Sequence, residues 1–322
     1  MKVVTFGEIM LRLNTEGYGR FLQAESFCAS YAGAEANVAV SLAGFGVEAS
    51  YVSKVPEHEI GQSAINALRR YGVSTEHVLR GGNRLGVYFL ETGASQRGGK
   101  VIYDRAGSAI ATAGRNEFDW EKIFAGADWF HLTGITPALS EELAAAALDA
   151  VKCAKRMGLA VSMDLNYRAK LWSREKAREV LVMLLPYVDY CKDPLWYADG
   201  ERDVPMLVER MMRDFSLRGV IVTERTAHSA SDHSWSATYY TEGKAYSSRK
   251  YEMHIVDRVG GGDAFAAGWI YALLNGYDPQ AAVELATASG CLKHSIEGDF
   301  NLVSIDEVKA LAEGDASVRV QR

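Results

Sequence analysis

Short apolar runs alternate with amphipathic stretches along most of the chain. Most of the runs are continuously apolar, which is typical of strands buried on both faces of a parallel sheet. Between them, apolar residues recur at helical spacing, and polar caps such as Ser140 and Ser304 open the helices. The pattern predicts an α/β fold with a doubly wound, mostly parallel sheet flanked by helices, and a site at the carboxyl edge of the strands. The predicted strands are Lys2–Phe6, Ala49–Lys54, Trp129–Thr133, Leu159–Leu165, Val188–Cys191 and Gly219–Thr223.

Two stretches, residues 10–31 and 84–106, interrupt this alternation because they have no helical period. Within the second stretch, Leu85–Leu90 and Val101–Arg105 predict two strands joined by a glycine-rich turn. Together the two stretches predict a small antiparallel sheet that projects from a single domain spanning residues 1–322. Such a sheet could cover an active site as a lid, or it could be an edge hairpin without a function. Periodicity does not separate these two interpretations.

The composition limits the class of protein. The 322 residues include 35 Lys and Arg against 41 Asp and Glu, a formal net charge of −6, and 48% of them are hydrophobic. This balance excludes a disordered chain and disfavours nucleic acid as a partner, because binding a phosphate backbone requires clustered positive charge. No apolar run reaches the roughly 20 residues of a membrane span, so we expect no membrane partner. The four cysteines are far apart in sequence, which suits buried thiols in a reducing cytoplasm.

Three glycines and an aspartate mark the start of a helix late in the chain. Gly260, Gly261, Gly262 and Asp263 follow a predicted strand, Tyr251–Val256, and precede apolar residues at helical spacing. Consecutive glycines allow backbone N–H groups to converge, and the helix dipole adds positive charge, which makes a site for an anion. We expect the same dipole to keep Asp263 ionised, so that it can accept a proton from a hydroxyl attacking a bound phosphoryl group. The alternative is a tight turn followed by an ordinary first-turn aspartate.

At these residues the chain resembles the PfkB-type, ribokinase-like carbohydrate kinases. Their C-terminal motif, Asp-Thr-x-Gly-Ala-Gly-Asp, is matched by Asp257–Asp263 with two substitutions, and their N-terminal glycine motif is matched by Gly33–Ala39. The likeness extends over nearly the whole chain, with the motifs in the same order. It implies a ribokinase-like fold with a β-sheet lid, ATP with Mg²⁺ as the phosphoryl donor, Asp263 as the catalytic base and the three glycines before it as an anion hole.

Within the family the chain is most similar to the 2-keto-3-deoxygluconate kinases, through segments such as Gly86–Leu90 and Asp164–Arg168. The resemblance implies ATP-dependent phosphorylation of the terminal hydroxyl of this sugar acid. Its carboxylate suits arginine, whose planar fork binds carboxylates through two charge-assisted hydrogen bonds. The residues that this resemblance places against the sugar acid are Gly33, Tyr88, Tyr103, Arg105, Arg168, Asp263 and Asp299.

Two family motifs are altered in this chain. Both glycines of the nucleotide loop Thr-x-Gly-x-x-Gly are missing after the sixth predicted strand, where an arginine could reach phosphate oxygens instead. The Asn-x-x-Glu motif aligns with Pro194 and Tyr197, and only Asp193 or Asp199 nearby could supply an acidic group. We therefore name no metal ligand, and we expect Mg²⁺ to be held largely by the nucleotide and water. Nucleotide contacts are expected from Thr223, Arg225, Gly260 and Gly262.

Two other functions fit parts of this pattern. A kinase for a neutral sugar of the fructose or ribose type would use the same turn without the arginines. A sugar-binding protein that has lost catalysis would explain the two altered motifs. Exposed strands of a lid need covering, which predicts a homo-oligomer of unspecified size.

Overall fold

In the computed structural model, which describes residues 1–194 and 203–314, helices cover both faces of one large sheet. The strands of the large sheet are β1 (Lys2–Phe6), β4 (Glu48–Val55), β5 (Val78–Arg80), β8 (Trp129–Thr133), β9 (Ala160–Asp164), β10 (Tyr190–Lys192), β11 (Gly219–Ala227), β12 (Asp232–Thr241), β13 (Lys244–Ser247) and β14 (Tyr251–His254). The helices are α1 (Ala34–Gly44), α2 (Glu59–Arg69), α3 (Trp120–Ile123), α4 (Glu141–Arg156), α5 (Arg174–Leu184), α6 (Val204–Phe215), α7 (Gly261–Leu274), α8 (Pro279–Lys293) and α9 (Ile305–Glu313).

The strand order of the large sheet confirms the predicted doubly wound fold. It reads β13-β12-β11-β10-β9-β8-β1-β4-β5, with β14 paired to β12. The strands from β11 to β5 are parallel, whereas the β11–β12 and β12–β13 pairs are antiparallel. The chain winds outward in both directions from β1. Because ligands of doubly wound sheets bind beyond the carboxyl ends of the strands at such a reversal, the segment after β1 is expected at the site.

The continuous apolar character of the strands follows from burial on both faces. Val3 belongs to one hydrophobic cluster and Val4 to the other, because successive side chains of a strand point to opposite faces. Helices α1, α2, α7 and α8 pack in the first cluster, and α3, α4, α5 and α6 pack in the second. Within the described part of the chain, no helix combines the length and apolar content that crossing a membrane requires.

A separate four-stranded sheet stands apart from the large one, and it is called the small sheet below. Its order is β3-β2-β6-β7, and its central pair, β2 and β6, is parallel. The prediction of an antiparallel sheet is therefore wrong for that pair. The reason is connectivity: β2 and β6 come from the two separate stretches, and a crossover through α1, β4 and α2 joins them, as parallel pairs require. The strands of the small sheet are β2 (Met10–Asn14), β3 (Cys28–Ala32), β6 (Gly86–Glu91) and β7 (Lys100–Asp104).

One buried arginine ties the small sheet to the main body. Arg12, in β2, donates from Nη2 to Asp257 Oδ2 at 2.6 Å and from Nη1 to Asp299 Oδ1 at 2.5 Å. All three side chains are at least 90% buried. Their mutual attraction offsets the cost of removing three charges from water, so each depends on the others being present. This ion cluster fixes two segments against the small sheet: the one before α7, which carries Asp257, and the one after α8, which carries Asp299.

The second half of the sheet differs from the predicted bounds. The strand predicted over Gly219–Thr223 continues to Ala227 as β11, and it forms a long antiparallel hairpin with β12. Without the two glycines of the family loop, the backbone has no residue that readily adopts a left-handed turn, and it continues as a strand. The hairpin tip, residues 228–231, lies beyond the point where the sequence predicts a nucleotide loop.

The Arg12 cluster makes a stability prediction. Replacing Arg12 by Met should lower the free energy of unfolding by about 3–5 kcal/mol, because two buried carboxylates lose their partner. Urea denaturation followed by circular dichroism measures the change.

Arg84→Met is the matched control, since Arg84 pairs with Asp104 at the surface and its loss should change stability little. Equal midpoints for the Arg12 and Arg84 variants would show that the buried cluster does not hold the two sheets together.

Candidate active site

The helix α7 begins at a backbone conformation that requires glycine. Gly260, its N-cap, has φ +83°, and a Cβ on this residue would lie 2.0 Å from the backbone oxygen of Asp299. Both the left-handed conformation and the close approach exclude a side chain. The glycine therefore brings the start of α7 into contact with the loop that carries Asp299.

The next residue, Gly261, must lack a side chain because a histidine ring lies against it. A Cβ on Gly261 would lie 2.2 Å from Cε1 of His294, which is fully buried. Alanine, the family residue at this place, would collide with this ring. Among the described residues, no acceptor binds the amides of Gly260, Gly261 or Gly262, as is typical of the first turn of a helix. These amides and the helix dipole favour an anion here.

Asp263 lies in the first turn of α7, half-buried and held by the N-terminal motif. Its Oδ2 accepts a hydrogen bond from Asn37 Nδ2 at 2.7 Å, and Asn37 Oδ1 accepts one from the backbone N–H of Gly33 at 3.3 Å. Gly33 is the N-cap of α1, where a Cβ would lie 1.9 Å from the carbonyl oxygen of Glu8. The two glycine motifs therefore meet in space at Asp263.

The helix dipole alone does not fix the ionisation of Asp263, because a pKa near 7 leaves its carboxyl only about half ionised at neutral pH. Burial raises the pKa of Asp263 to about 7, and the nearby carboxylates of Asp164 and Asp299 add to the increase. The hydrogen bond from Asn37 and the ammonium of Lys192 oppose this shift without cancelling it. Desolvation outweighs the dipole because the side chain is crowded by protein atoms and by other acidic groups. A carboxyl with a pKa near 7 is suited to exchange protons at neutral pH.

The small sheet presents aromatic and acidic groups toward this turn. Tyr88, in β6, donates its hydroxyl hydrogen to the carboxylate of Asp299 at 2.8 Å from either oxygen. Burial raises the pKa of Asp299, although Arg12 and Tyr88 both oppose that shift. The ring of Tyr103 lies 5.8 Å from that of Tyr88 and remains 44% exposed, so it is open to a ligand.

The two predicted carboxylate-binding arginines differ in their surroundings. Arg105 donates from Nε to Glu8 Oε2 at 2.8 Å, and its Nη2 also binds this oxygen, so most of its fork is already paired. Its guanidinium carbon lies 5.6 Å from the ring centre of Tyr103, which confirms that these two face the same side. Arg168 follows β9 and is exposed, and its charge acts on Asp164. Among residues 1–194 and 203–314, the guanidinium of Arg168 has no hydrogen-bond or ion-pair partner, whereas that of Arg105 is bound to Glu8.

A buried lysine, which the sequence analysis did not single out, lies beside the glycine turn. Lys192 Nζ donates to Asp164 Oδ2 at 2.9 Å and to Asp193 Oδ2 at 2.7 Å. It lies 3.8 Å from the position of a Cβ on Gly262, and it lowers the pKa of Asp263. Asp193 in turn accepts hydrogen bonds from the N–H of Thr223 at 2.7 Å and from its hydroxyl at 3.0 Å. Lys192 therefore links β9, β10 and β11 at their carboxyl ends.

Arg225 and its neighbour point to opposite sides of β11. The guanidinium of Arg225 lies 4.9 Å from the ring centre of Trp235, on the cross-strand partner position, whereas the charge of Glu224 acts on Tyr240. Strand alternation thus removes the repulsion that an inward-facing Glu224 would cause. Thr223 and Arg225 share the face that looks toward α7.

The acidic groups near the turn do not form a metal cage. Asp164 and Asp193 share the single positive charge of Lys192, and the described residues include no group of three His, Cys, Asp or Glu side chains that could hold a metal ion. Pro194 adjoins them, and the aligned Tyr197 and Asp199 lie outside the described residues. The described residues around the turn therefore do not fit a dedicated Mg²⁺ site.

Three residues of the site were not predicted from the sequence. Arg12 lies in a stretch without helical period, Asn37 in the N-terminal glycine motif and Lys192 just after a predicted strand. None of them was assigned a role, because each has a partner far away in the chain. The bond from Arg12 to Asp299 spans 287 positions. Only the placement of Asn37 four residues after Gly33, on one face of a helix, offered a local signal.

Comparison with known proteins agrees with this geometry. The protein family described as "pfkB family carbohydrate kinase" matches this chain over residues 1–192 and 234–302. A crystal structure of a 2-dehydro-3-deoxygluconokinase from Thermotoga maritima superposes with a TM-score of 0.94 at 47% identity, covering 98% of this chain and 100% of that one. A 2-dehydro-3-deoxygalactonokinase from Haloferax volcanii is 34% identical over 98% of both chains. A 2-dehydro-3-deoxygluconokinase from Thermoproteus tenax is 30% identical over 93% of this chain and 90% of its own. This chain, with its ribokinase-like fold, belongs to the pfkB family of carbohydrate kinases.

Proposed function

We propose that the protein transfers the γ-phosphoryl group of ATP to the terminal hydroxyl of 2-keto-3-deoxygluconate or its galactonate epimer. The observation that carries this proposal is Asp263, held by Asn37 beside the free amides of Gly260, Gly261 and Gly262. A proton acceptor and an anion site share one helix turn. The relatives named for these two sugar acids support the substrate class.

Asp263 serves as the base in this reaction. The hydroxyl oxygen forms a bond to the γ-phosphorus while the bond from that phosphorus to the bridging oxygen of ADP breaks. The hydroxyl proton passes to the carboxylate of Asp263, and ADP leaves with the electron pair. The amides of Gly260, Gly261 and Gly262 stabilise the negative charge on the transferring group, which is the larger part of catalysis in phosphoryl transfer.

The acid end of the sugar is held away from Asp263. Arg168 offers a free guanidinium to the carboxylate, and Arg105, oriented by Glu8, supplies its remaining N–H group. Tyr103 is open to pack on the sugar, while Tyr88 and Asp299 offer a paired hydroxyl and carboxylate. Holding the carboxylate at one end aims the far hydroxyl at the donor.

The nucleotide lies on the other side of the turn. Thr223 and Arg225 face it from β11, and Gly260 and Gly262 contribute backbone amides. We expect Mg²⁺ to come with the nucleotide, coordinated by phosphate oxygens and water, because the nearby carboxylates are engaged by Lys192.

The small sheet serves as a lid over the sugar within one domain that spans residues 1–322. Its parts, residues 10–31 and 84–106, carry Arg12, Tyr88, Tyr103 and Arg105 to the site. Its edge strand β7 exposes 52% of Ile102, and covering this edge by a second copy of the chain favours a homo-oligomer.

The two other functions make different demands. A kinase for a neutral sugar has no use for Arg168 near Asp164. A sugar-binding protein without catalysis would not need the left-handed Gly260 at the start of α7 or a carboxyl with a pKa of about 7. Both features favour an acid-sugar kinase.

Asp263→Asn should lower kcat by about 10²–10⁴-fold, because an amide cannot accept the hydroxyl proton. A coupled assay that detects ADP measures the loss with 2-keto-3-deoxygluconate as substrate. Asp278→Asn is the matched control, because Asp278 caps α8 far along the chain and should leave turnover near that of the wild type. Full activity of the Asp263 variant would remove the proposed base.

The pH dependence follows from the raised pKa of Asp263. Only its carboxylate form accepts a proton, so kcat/KM should fall below about pH 7, approaching roughly tenfold for each pH unit. Measurement between pH 5.5 and 8.5 suffices, because the substrate's own carboxylate stays ionised over that range. A rate that stays level down to pH 5.5 would indicate a carboxyl near its ordinary pKa of 3.8.

Arg168→Ala tests the acid specificity. We expect KM for the gluconate and galactonate substrates to rise about tenfold or more, since a charge-assisted pair is lost. Any slow turnover of fructose or ribose should stay unchanged.

Arg174→Ala, at the exposed start of α5, is the control. Equal turnover of neutral sugars by the wild type would contradict the proposed substrate class.

A further inference from the structure

A lysine that the proposed mechanism does not use is fully buried close to the start of α7. Lys293 is the last residue of α8, and none of its surface is exposed. Its Nζ donates to the backbone carbonyl oxygen of Ile296 at 3.1 Å and to that of Asp257 at 3.4 Å. A lysine is rarely buried so completely, because removing an ammonium group from water is costly. Its surroundings must therefore compensate for its burial.

The two carbonyl oxygens belong to the two segments that meet at the glycine turn. Asp257 lies three residues before Gly260, and Ile296 lies three residues before Asp299. The N–H of Gly298 also donates to Asp257 Oδ2 at 3.1 Å, so the segments are bound to each other directly. Two carbonyl oxygens that converge on one point repel each other unless a donor or a cation lies between them. Lys293 provides that group exactly where the segments come together.

The ammonium group also balances a charge that the Arg12 cluster leaves over. Asp257 and Asp299 share the single guanidinium of Arg12, so the cluster carries one excess negative charge. Burial lowers the pKa of Lys293. The two carboxylates of the cluster and that of Asp263 oppose this shift, while Arg12 adds to it. Three carboxylates against one guanidinium favour the charged form of the lysine.

We propose that Lys293 is a positioning residue whose ammonium group clamps the segments before Gly260 and Asp299 together. The clamp holds the unpaired amides at the start of α7 in the place that phosphoryl transfer requires, so this inference rests on the proposed kinase function. Converging carbonyl oxygens are also the ligands with which proteins hold small cations such as K⁺. Here the chain supplies the cation itself. Turnover therefore needs no added monovalent cation, and removal of the ammonium group creates a need for one.

Lys293→Met removes the charge and nearly keeps the length of the side chain. We expect kcat with 2-keto-3-deoxygluconate to fall about 10²-fold and KM for the sugar acid to change less than about threefold, because the amides are displaced while Arg105 and Arg168 still hold the acid end. Lys293→Gln keeps N–H donors without a charge and should lose nearly as much. Lys176→Met is the matched control, because Lys176 is exposed on α5 and pairs with Glu179. A Lys293→Gln variant with the kcat of the wild type would overturn the need for a cation.

Lys293→Ala leaves space in which a small cation can replace the ammonium group. At constant ionic strength, ammonium or potassium chloride should raise the kcat of this variant about tenfold, whereas choline chloride, whose cation is too large, should not. Thermal unfolding gives a readout that does not depend on activity. Ammonium chloride should raise the midpoint of the variant by about 1–3 °C relative to choline chloride and leave that of the wild type unchanged. Equal responses of the variant and the wild type would overturn the clamp.

The wild type alone tests the proposal if a variant does not fold. Its turnover should be equal in potassium, sodium and choline chloride at the same ionic strength, and activation by potassium would show that a diffusible cation is needed and overturn the proposal. Absence of rescue in Lys293→Ala, with normal turnover by the wild type, would overturn the clamp but not the kinase function. A wild type that phosphorylates no sugar acid, with a Lys293→Ala midpoint that rises in ammonium chloride, would support the clamp and contradict the function.

Discussion

The site depends on how closely the start of α7 approaches the segment that follows α8. Gly260 touches the backbone of Asp299, and Gly261 touches the ring of His294. No side chain fits at either place, so the glycines are required by contact as well as by conformation. The approach joins the unpaired amides at the start of α7, the proposed proton acceptor Asp263 and the proposed sugar contact Asp299 in one rigid unit. If either segment moved by the length of one carbon–carbon bond, the groups that must act together in phosphoryl transfer would be separated.

The second constraint is the balance of buried charge around that unit. Five carboxyl groups lie near it, and most are paired with a cation: Arg12 bridges Asp257 and Asp299, and Lys192 bridges Asp164 and Asp193. Lys293, fully buried, donates to the carbonyl oxygens of Asp257 at 3.4 Å and Ile296 at 3.1 Å. Asp263 is the exception, because its hydrogen-bond partner, Asn37, is neutral.

This difference explains why Asp263 has a pKa suited to a base. A direct ion pair would stabilise the carboxylate and make it a poor proton acceptor. An amide partner orients the group without fixing its charge. The cations nearby, Arg12 and Lys192, are paired with other carboxylates, which limits how far they lower the pKa of Asp263. The same elements that stabilise the fold thereby set the protonation state of the proposed catalytic group, Asp263.

Sequence reading was reliable where the cause was local. Continuous apolar runs located β1, β8 and β9, and the cap at Ser304 located α9, because burial of both strand faces and capping act over a few residues. The glycine turn before α7 was predicted for the same reason, because its conformation depends on a few neighbouring residues. The ionisation of Asp263 was not predictable in this way, since it depends on burial, which is a property of the assembled fold. The parallel pairing of β2 with β6 and the bridge from Arg12 to Asp299 join distant segments, which single-sequence patterns do not record.

The hairpin of β11 and β12 shows how a missing motif changes the way a site is built. A glycine loop binds phosphates through backbone amides, whose partial charges act only at short range. Arg225, which the proposed function places at the nucleotide, instead carries a full charge on a flexible side chain, which attracts anions from further away but is screened by salt when exposed. The hairpin tip also pairs with the small sheet, because Ala230 donates its N–H to the carbonyl oxygen of Ser95 and Ser95 donates its own N–H to Ser231 Oγ. The small sheet and the hairpin that stands where the family has its glycine loop are therefore parts of one structural arrangement.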